Sequence, residues 1–127
     1  MPAATYDVLI EQGATFRLPF VYGFRTGATD PATGAPVVAP YDLTGCKARM
    51  HVRSSVNSET PLLEASSDTG GITLEPTAGK ITVTLTDEQT ATLTGRRAVY
   101  DLEVEYPSGD VKRVLQGKVT ISAEVTR

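Results

Sequence analysis

The sequence has no tryptophan, one cysteine and one histidine, and its aromatics are five Tyr and three Phe. Cys46 alone excludes an internal disulfide and predicts folding in a reducing cytoplasm. Zinc needs several His or Cys ligands, which this composition does not hold. There is no excess of positive charge: 12 Lys and Arg stand against 15 Asp and Glu, a net charge of -3. A nucleic-acid groove needs a basic stripe, so nucleic acid is not expected as a partner. No apolar run approaches the roughly 18 residues of a membrane span. The start, Met1-Pro2-Ala3-Ala4-Thr5, lacks the basic-then-apolar layout of a signal peptide, so no membrane contact is expected either.

What is present is a β pattern. The 127 residues suit one domain, 1–127, large enough to bury a core without disulfide, metal or other cofactor. Thr and Val, 18 and 13 residues by count, are β-branched and favour strands. Tyr6, Val8 and Ile10 alternate with polar residues, and after Gln12-Gly13 the period resumes as Phe16, Leu18, Phe20 and Tyr22. Pro19 lacks the donor a central ladder needs, which places this second strand at an edge or bulge. A third run, Cys46 to Arg53, has Cys46, Ala48, Met50 and Val52 on one face and Lys47, Arg49, His51 and Arg53 on the other. Cys46 is therefore expected to face the core and His51 water.

Two hairpins can be registered from their side chains. Around Pro76-Thr77-Ala78-Gly79, pairing Glu75 with Lys80 sets Leu74 against Ile81 and Ile72 against Val83. Around Pro107-Ser108-Gly109-Asp110, pairing Tyr106 with Val111 sets Glu105 against Lys112, Leu102 against Leu115, Ala98 against Val119 and Tyr100 over Gly117. One pair dissents: Arg113 falls opposite Val104. The last strand, Val111 to Val125, puts Leu115, Val119, Ile121 and Val125 on one face and is long enough to serve two partners or bend at Gly117. Between the hairpins, Thr86 and Gln89 form a capping-box pattern for one short helix, Thr86 to Leu93. The expected fold is all-β: an immunoglobulin-like antiparallel β-sandwich of about seven or eight strands, with a barrel as the alternative.

Residues 26–40 break the period with Pro31, Pro36, Pro40, Gly27 and Gly34, and read as a long surface loop. Its prolines limit the entropy lost on ordering. Val37 and Val38 are its apolar anchors for a partner, with Arg25 and Tyr41 at its ends; a neutral insertion is the alternative.

Catalytic patterns fail one by one. Cys46 and His51, five residues apart on one strand, point to opposite faces at about 16 Å. No nucleophile elbow surrounds any serine. Gly79-Lys80 ends like a phosphate loop, but Leu74 stands where the first glycine is needed. Asp101, Glu103 and Glu105 form an outward row better suited to solvent than to wrapping calcium. Neither enzyme activity nor a catalytic, cofactor or metal site is expected.

Taken in order, Ile10-Glu11-Gln12-Gly13 with Phe16, Asp42-Leu43-Thr44-Gly45, Ala48-Arg49-Met50 with Arg53, and Gly79-Lys80-Ile81-Thr82-Val83 leading to Leu85-Thr86 and Gln89-Thr90 carry a family likeness. So do the closing segments Val99-Tyr100-Asp101-Leu102-Glu103-Val104 and Arg113-Val114-Leu115-Gln116-Gly117-Lys118-Val119. Together, over residues 6–127, they resemble the N-terminal immunoglobulin-like module of bacteriophage baseplate upper proteins and related tail proteins. The resemblance implies a structural virion protein, made in the host cytoplasm, that anchors fibre or receptor-binding components. It also implies other virion proteins as partners and a homo-oligomeric ring. A capsid decoration or neck-collar protein and a carbohydrate-binding module are the alternatives.

Overall fold

The structure, a computed structural model, describes residues 3–125 apart from the side chain of Arg25. Eleven strands follow in chain order: β1 (Ala4–Thr5), β2 (Val8–Glu11), β3 (Phe16–Val21), β4 (Gly23–Thr29), β5 (Pro36–Pro40), β6 (Lys47–Arg53), β7 (Leu63–Ser66), β8 (Ile72–Glu75), β9 (Lys80–Leu85), β10 (Arg97–Glu105) and β11 (Val111–Ser122). An α-helix, α1 (Asp87–Ala91), joins β9 to β10, and a 3-10 turn, Pro76–Ala78, joins β8 to β9. The larger sheet runs β1-β11-β10-β6-β7, with β2 also on β11; the smaller is β3-β9-β8. This is the strand arrangement of an immunoglobulin-like sandwich, with β7 extending the sheet that holds the last two strands. The packed inner faces carry the core, including Met50, Ile81, Val83, Leu102, Val104 and Val119.

Local chemistry explains most elements. Thr86 accepts from the Gln89 backbone N–H at 3.1 Å while the Gln89 side chain accepts from the Thr86 N–H at 2.8 Å, so α1 starts where its capping box lies. Buried Thr90 ties the helix to the β2–β3 turn, donating to the Ala14 carbonyl and accepting from the Gly13 N–H. Asp42 Oδ1 accepts from the Thr44 N–H at 2.9 Å, closing the Asp-Leu-Thr-Gly turn, with Gly45 at φ 78°. Pro19 sits on β3, an edge strand of the smaller sheet. The Glu75–Lys80 hairpin has the expected register throughout.

Three expectations about the larger sheet need correction. The sandwich is not wholly antiparallel, because β1 and β2 both run parallel to β11. A two-residue hairpin turn could not deliver parallel strands; the whole chain separates them, and β11 is long enough to pair with β10 on one side and these on the other. In the second hairpin, the expected pairs Ala98–Val119, Tyr100–Gly117 and Leu102–Leu115 form, but the register then shifts by one, to Glu103–Arg113, Val104–Lys112 and Glu105–Val111. The unpaired residue is Val114, and the bulge lets Val114 and Leu115 both be buried. It also removes the dissenting pair, since Arg113 now opposes Glu103. Finally, β11 ends at Ser122, which leaves Val125 exposed instead of on the core face.

Candidate functional site: the β4–β5 ribbon

Residues 26–40 are not a structureless loop. They form most of a two-stranded antiparallel ribbon, pairing Gly23 with Pro40, Phe24 with Ala39, Arg25 with Val38 and Thr29 with Pro36. Alternation cannot reveal such a ribbon, because it has no buried face to impose a period. Pro36 and Pro40 stand at the first and last positions of β5, where a missing donor is tolerated, and Pro31 lies in the turn at the tip. The register is irregular between Arg25 and Thr29, where Gly27 takes φ 88°.

The ribbon is held at its root by aromatic side chains. Tyr22 and Tyr41 stack with ring centroids 4.5 Å apart, and Phe24 lies 4.8 Å from Tyr41 at a tilt of 52°. The Tyr41 N–H donates to the Tyr22 carbonyl at 2.9 Å, and the Tyr22 N–H to the Gly79 carbonyl at 2.8 Å. Gly79, at φ 62°, is required here: a Cβ would meet the carbonyl oxygens of Tyr22 and Tyr41 at 2.8 and 2.9 Å. The hydroxyls of Tyr22 and Tyr106 lie 3.2 Å apart, and burial, followed by this bond, pushes the Tyr22 phenol well above its ordinary value. The tip satisfies its own backbone: Asp30 Oδ1 accepts from the Ala32 N–H, and the Asp30 N–H donates to the Ala35 carbonyl, both at 2.8 Å.

The structure divides the expected contact residues. Val37 and Val38 are at the surface, 38% and 58% exposed. Tyr41 is half-buried in the root, so its ring positions the ribbon and leaves little surface for a partner. The backbone of Arg25 pairs with Val38; its side chain lies outside the described residues. Phe24, part of the root cluster and still partly exposed, escaped the sequence reading although it continues the Phe20, Tyr22 alternation.

His51 Nδ1 accepts from an Arg53 guanidinium N–H at 3.1 Å, and its Nε2 lies 3.5 Å from Glu64. Among the described residues, no three His, Cys, Asp or Glu side chains gather as metal ligands do. Cys46 is partly buried against the core, and that burial, with the nearby Asp42 charge second, pushes its thiol above the ordinary value. Raising the pKa reduces the thiolate fraction at any pH below it. Cys46 is therefore expected to react with iodoacetamide at pH 8 several-fold more slowly in the native protein than in denaturant; equal rates would contradict the packing described.

Fold and site together define an immunoglobulin-like β-sandwich bearing a protruding, aromatic-rooted ribbon. No family model and no curated protein matches the chain. Among solved structures it is similar to CopC from Methylosinus trichosporium OB3b, with 11% identity and a TM-score of 0.44, over 95% of this chain and 87% of that one. The fold assignment stands on strand order and register and takes nothing from that likeness.

Proposed function

We propose that the chain is a non-enzymatic structural protein of a bacteriophage virion, a tail or baseplate module that anchors fibre or receptor-binding components, present in several copies around the particle's rotational symmetry. The ordered motifs quoted above support the family; the ribbon supports the mode of attachment. An isolated two-stranded hairpin is marginally stable in water, yet this one is rooted by stacked aromatics and carries Val37 and Val38 outward. That single observation carries the reading: an ordered arm with apolar side chains outside the core suits docking on a neighbouring subunit.

The test replaces Gly27 to Val38 with a short Gly-Ser turn, leaving Tyr22, Phe24 and Tyr41 in place. The melting temperature is expected to stay within a few degrees, because these residues bury nothing in the core, while incorporation into particles falls at least tenfold. Full incorporation of the folded variant would overturn the ribbon as attachment surface. Co-sedimentation of the wild-type protein with purified heads instead of tails would replace the tail assignment by a capsid one.

A further inference from the structure

The outer face of the larger sheet is a grid of charge whose pairing can be followed rung by rung. Strand β10 sets Glu105 against Lys47, Glu103 against Arg49 and Asp101 against His51 on β6. Arg49 reaches both Glu103 and Glu105, at 3.2 and 3.9 Å, and Arg113 reaches Asp101 at 3.4 Å from the other side. The next rung breaks the pattern: Val99 lies between Arg53 on β6 and Lys118 on β11. Two cations thus flank an aliphatic residue, roughly 10 Å apart by backbone spacing. Among the described residues neither has a carboxylate within 4.0 Å.

This rung lies in a groove of about 600 Å³. Such a volume is of ligand size. Arg53 is already held in place, donating to the Ser58 carbonyl at 2.9 Å and to His51 Nδ1 at 3.1 Å. The groove also includes Val56, 82% exposed. Asp7 forms part of the opposite wall, its carboxylate accepting the Lys118 N–H at 2.9 Å. Leaving His51 aside, the lining holds three cations (Arg53, Arg113, Lys118) against two carboxylates (Asp7, Asp101), in a chain of net charge -3.

We propose that this groove binds an acidic peptide segment, one carboxylate taken between Arg53 and Lys118 above Val99, with a neighbouring aliphatic side chain against Val56. Charge complementarity selects the carboxylate, and a guanidinium with fixed orientation suits its planar geometry. The aliphatic lining selects a peptide over a sugar. The aromatic residue among the lining, Tyr100, is buried and donates its hydroxyl to the Tyr6 carbonyl, so it presents no ring face for saccharide stacking. The site is independent of the ribbon and of the virion assignment.

The test is an NMR titration of the ¹⁵N-labelled full chain at pH 7 and low ionic strength with the capped pentapeptide GVEVG, its uncharged analogue GVQVG, and glucuronate. GVEVG is expected to shift the amides of Arg53, Val99 and Lys118 in a saturable way, and the other two probes to bind at least tenfold more weakly. Arg53→Gln and Lys118→Gln should each weaken GVEVG about tenfold, the size of one charge-assisted hydrogen bond. Lys112→Gln, outside the groove, should leave its affinity unchanged. Should Arg53→Gln lose its fold, Lys118→Gln decides alone. Equal binding of GVQVG, tighter binding of glucuronate, unchanged affinity in Lys118→Gln, or shifts confined to other residues would each overturn the proposal.

Discussion

Leu102→Ala is expected to destabilise the protein by about 2–5 kcal/mol, the range for removing a fully buried leucine. Leu102 has 0% exposure at the centre of β10, with Met50 opposite it on β6 and Leu115 opposite it on β11. The β11 bulge begins at the next rung, so the strands on either side are held in different registers and cannot slide together to fill the space left. For a domain of this length each kcal/mol corresponds to roughly 3–5 °C, so the melting temperature should fall by about 6–25 °C. In urea the midpoint should drop at unchanged slope. A loss below about 1 kcal/mol would mean the site collapses freely, contrary to the register described.

Gly117→Ala is expected to cost about 2–4 kcal/mol, from overpacking and the hydrogen bonds it disturbs. Gly117 is not a glycine for the sake of its dihedrals. A Cβ there would overlap the Tyr6 carbonyl oxygen, with the Tyr6 carbonyl carbon at 2.7 Å and Asp7 Oδ1 at 3.0 Å. Between β1 and β2 the chain runs past Gly117 along the edge of β11 that faces away from β10, and Tyr100, paired with Gly117 across the ladder, donates its hydroxyl to that same Tyr6 carbonyl. Pushing this segment away also threatens the bonds from the Tyr6 N–H to the Gln116 carbonyl and from the Lys118 N–H to Asp7. A spectroscopic signature accompanies the loss. Burial, with the Asp7 charge second, pushes the Tyr100 phenol up to about 12. Because the folded value lies above the unfolded one, near 10, the stability linked to Tyr100 is complete below pH 10 and is lost as pH rises toward 12. In Gly117→Ala the tyrosinate absorbance of this residue should appear at lower pH than in the wild type. An alanine variant with wild-type stability and titration would show that the packing of the β1–β2 segment does not rest on Gly117.

Information confined to neighbouring residues was legible before any coordinates. Alternation along β6 and β10 selects the buried face, because a strand repeats every two residues and only one of these faces meets the core. The Thr86–Gln89 capping box and the Asp42–Gly45 turn are closed by hydrogen bonds spanning two or three residues, so their residue types suffice. The Glu75–Lys80 register follows from four local apolar partners and one charge pair. Long-range geometry decided the rest. The ribbon has no core face and hence no period, and its root exists only where Tyr22, Phe24 and Tyr41 converge beside Gly79. Tyr100 over Gly117 could be read as an aromatic covering a bare backbone, but the Tyr6 carbonyl packed there belongs to a residue 94 positions before Tyr100. Likewise the charges of β6 were visible as a row. Which of them lacks a counter-charge depended on the register of three strands, and register between distant strands is chosen by the packing of the whole sheet.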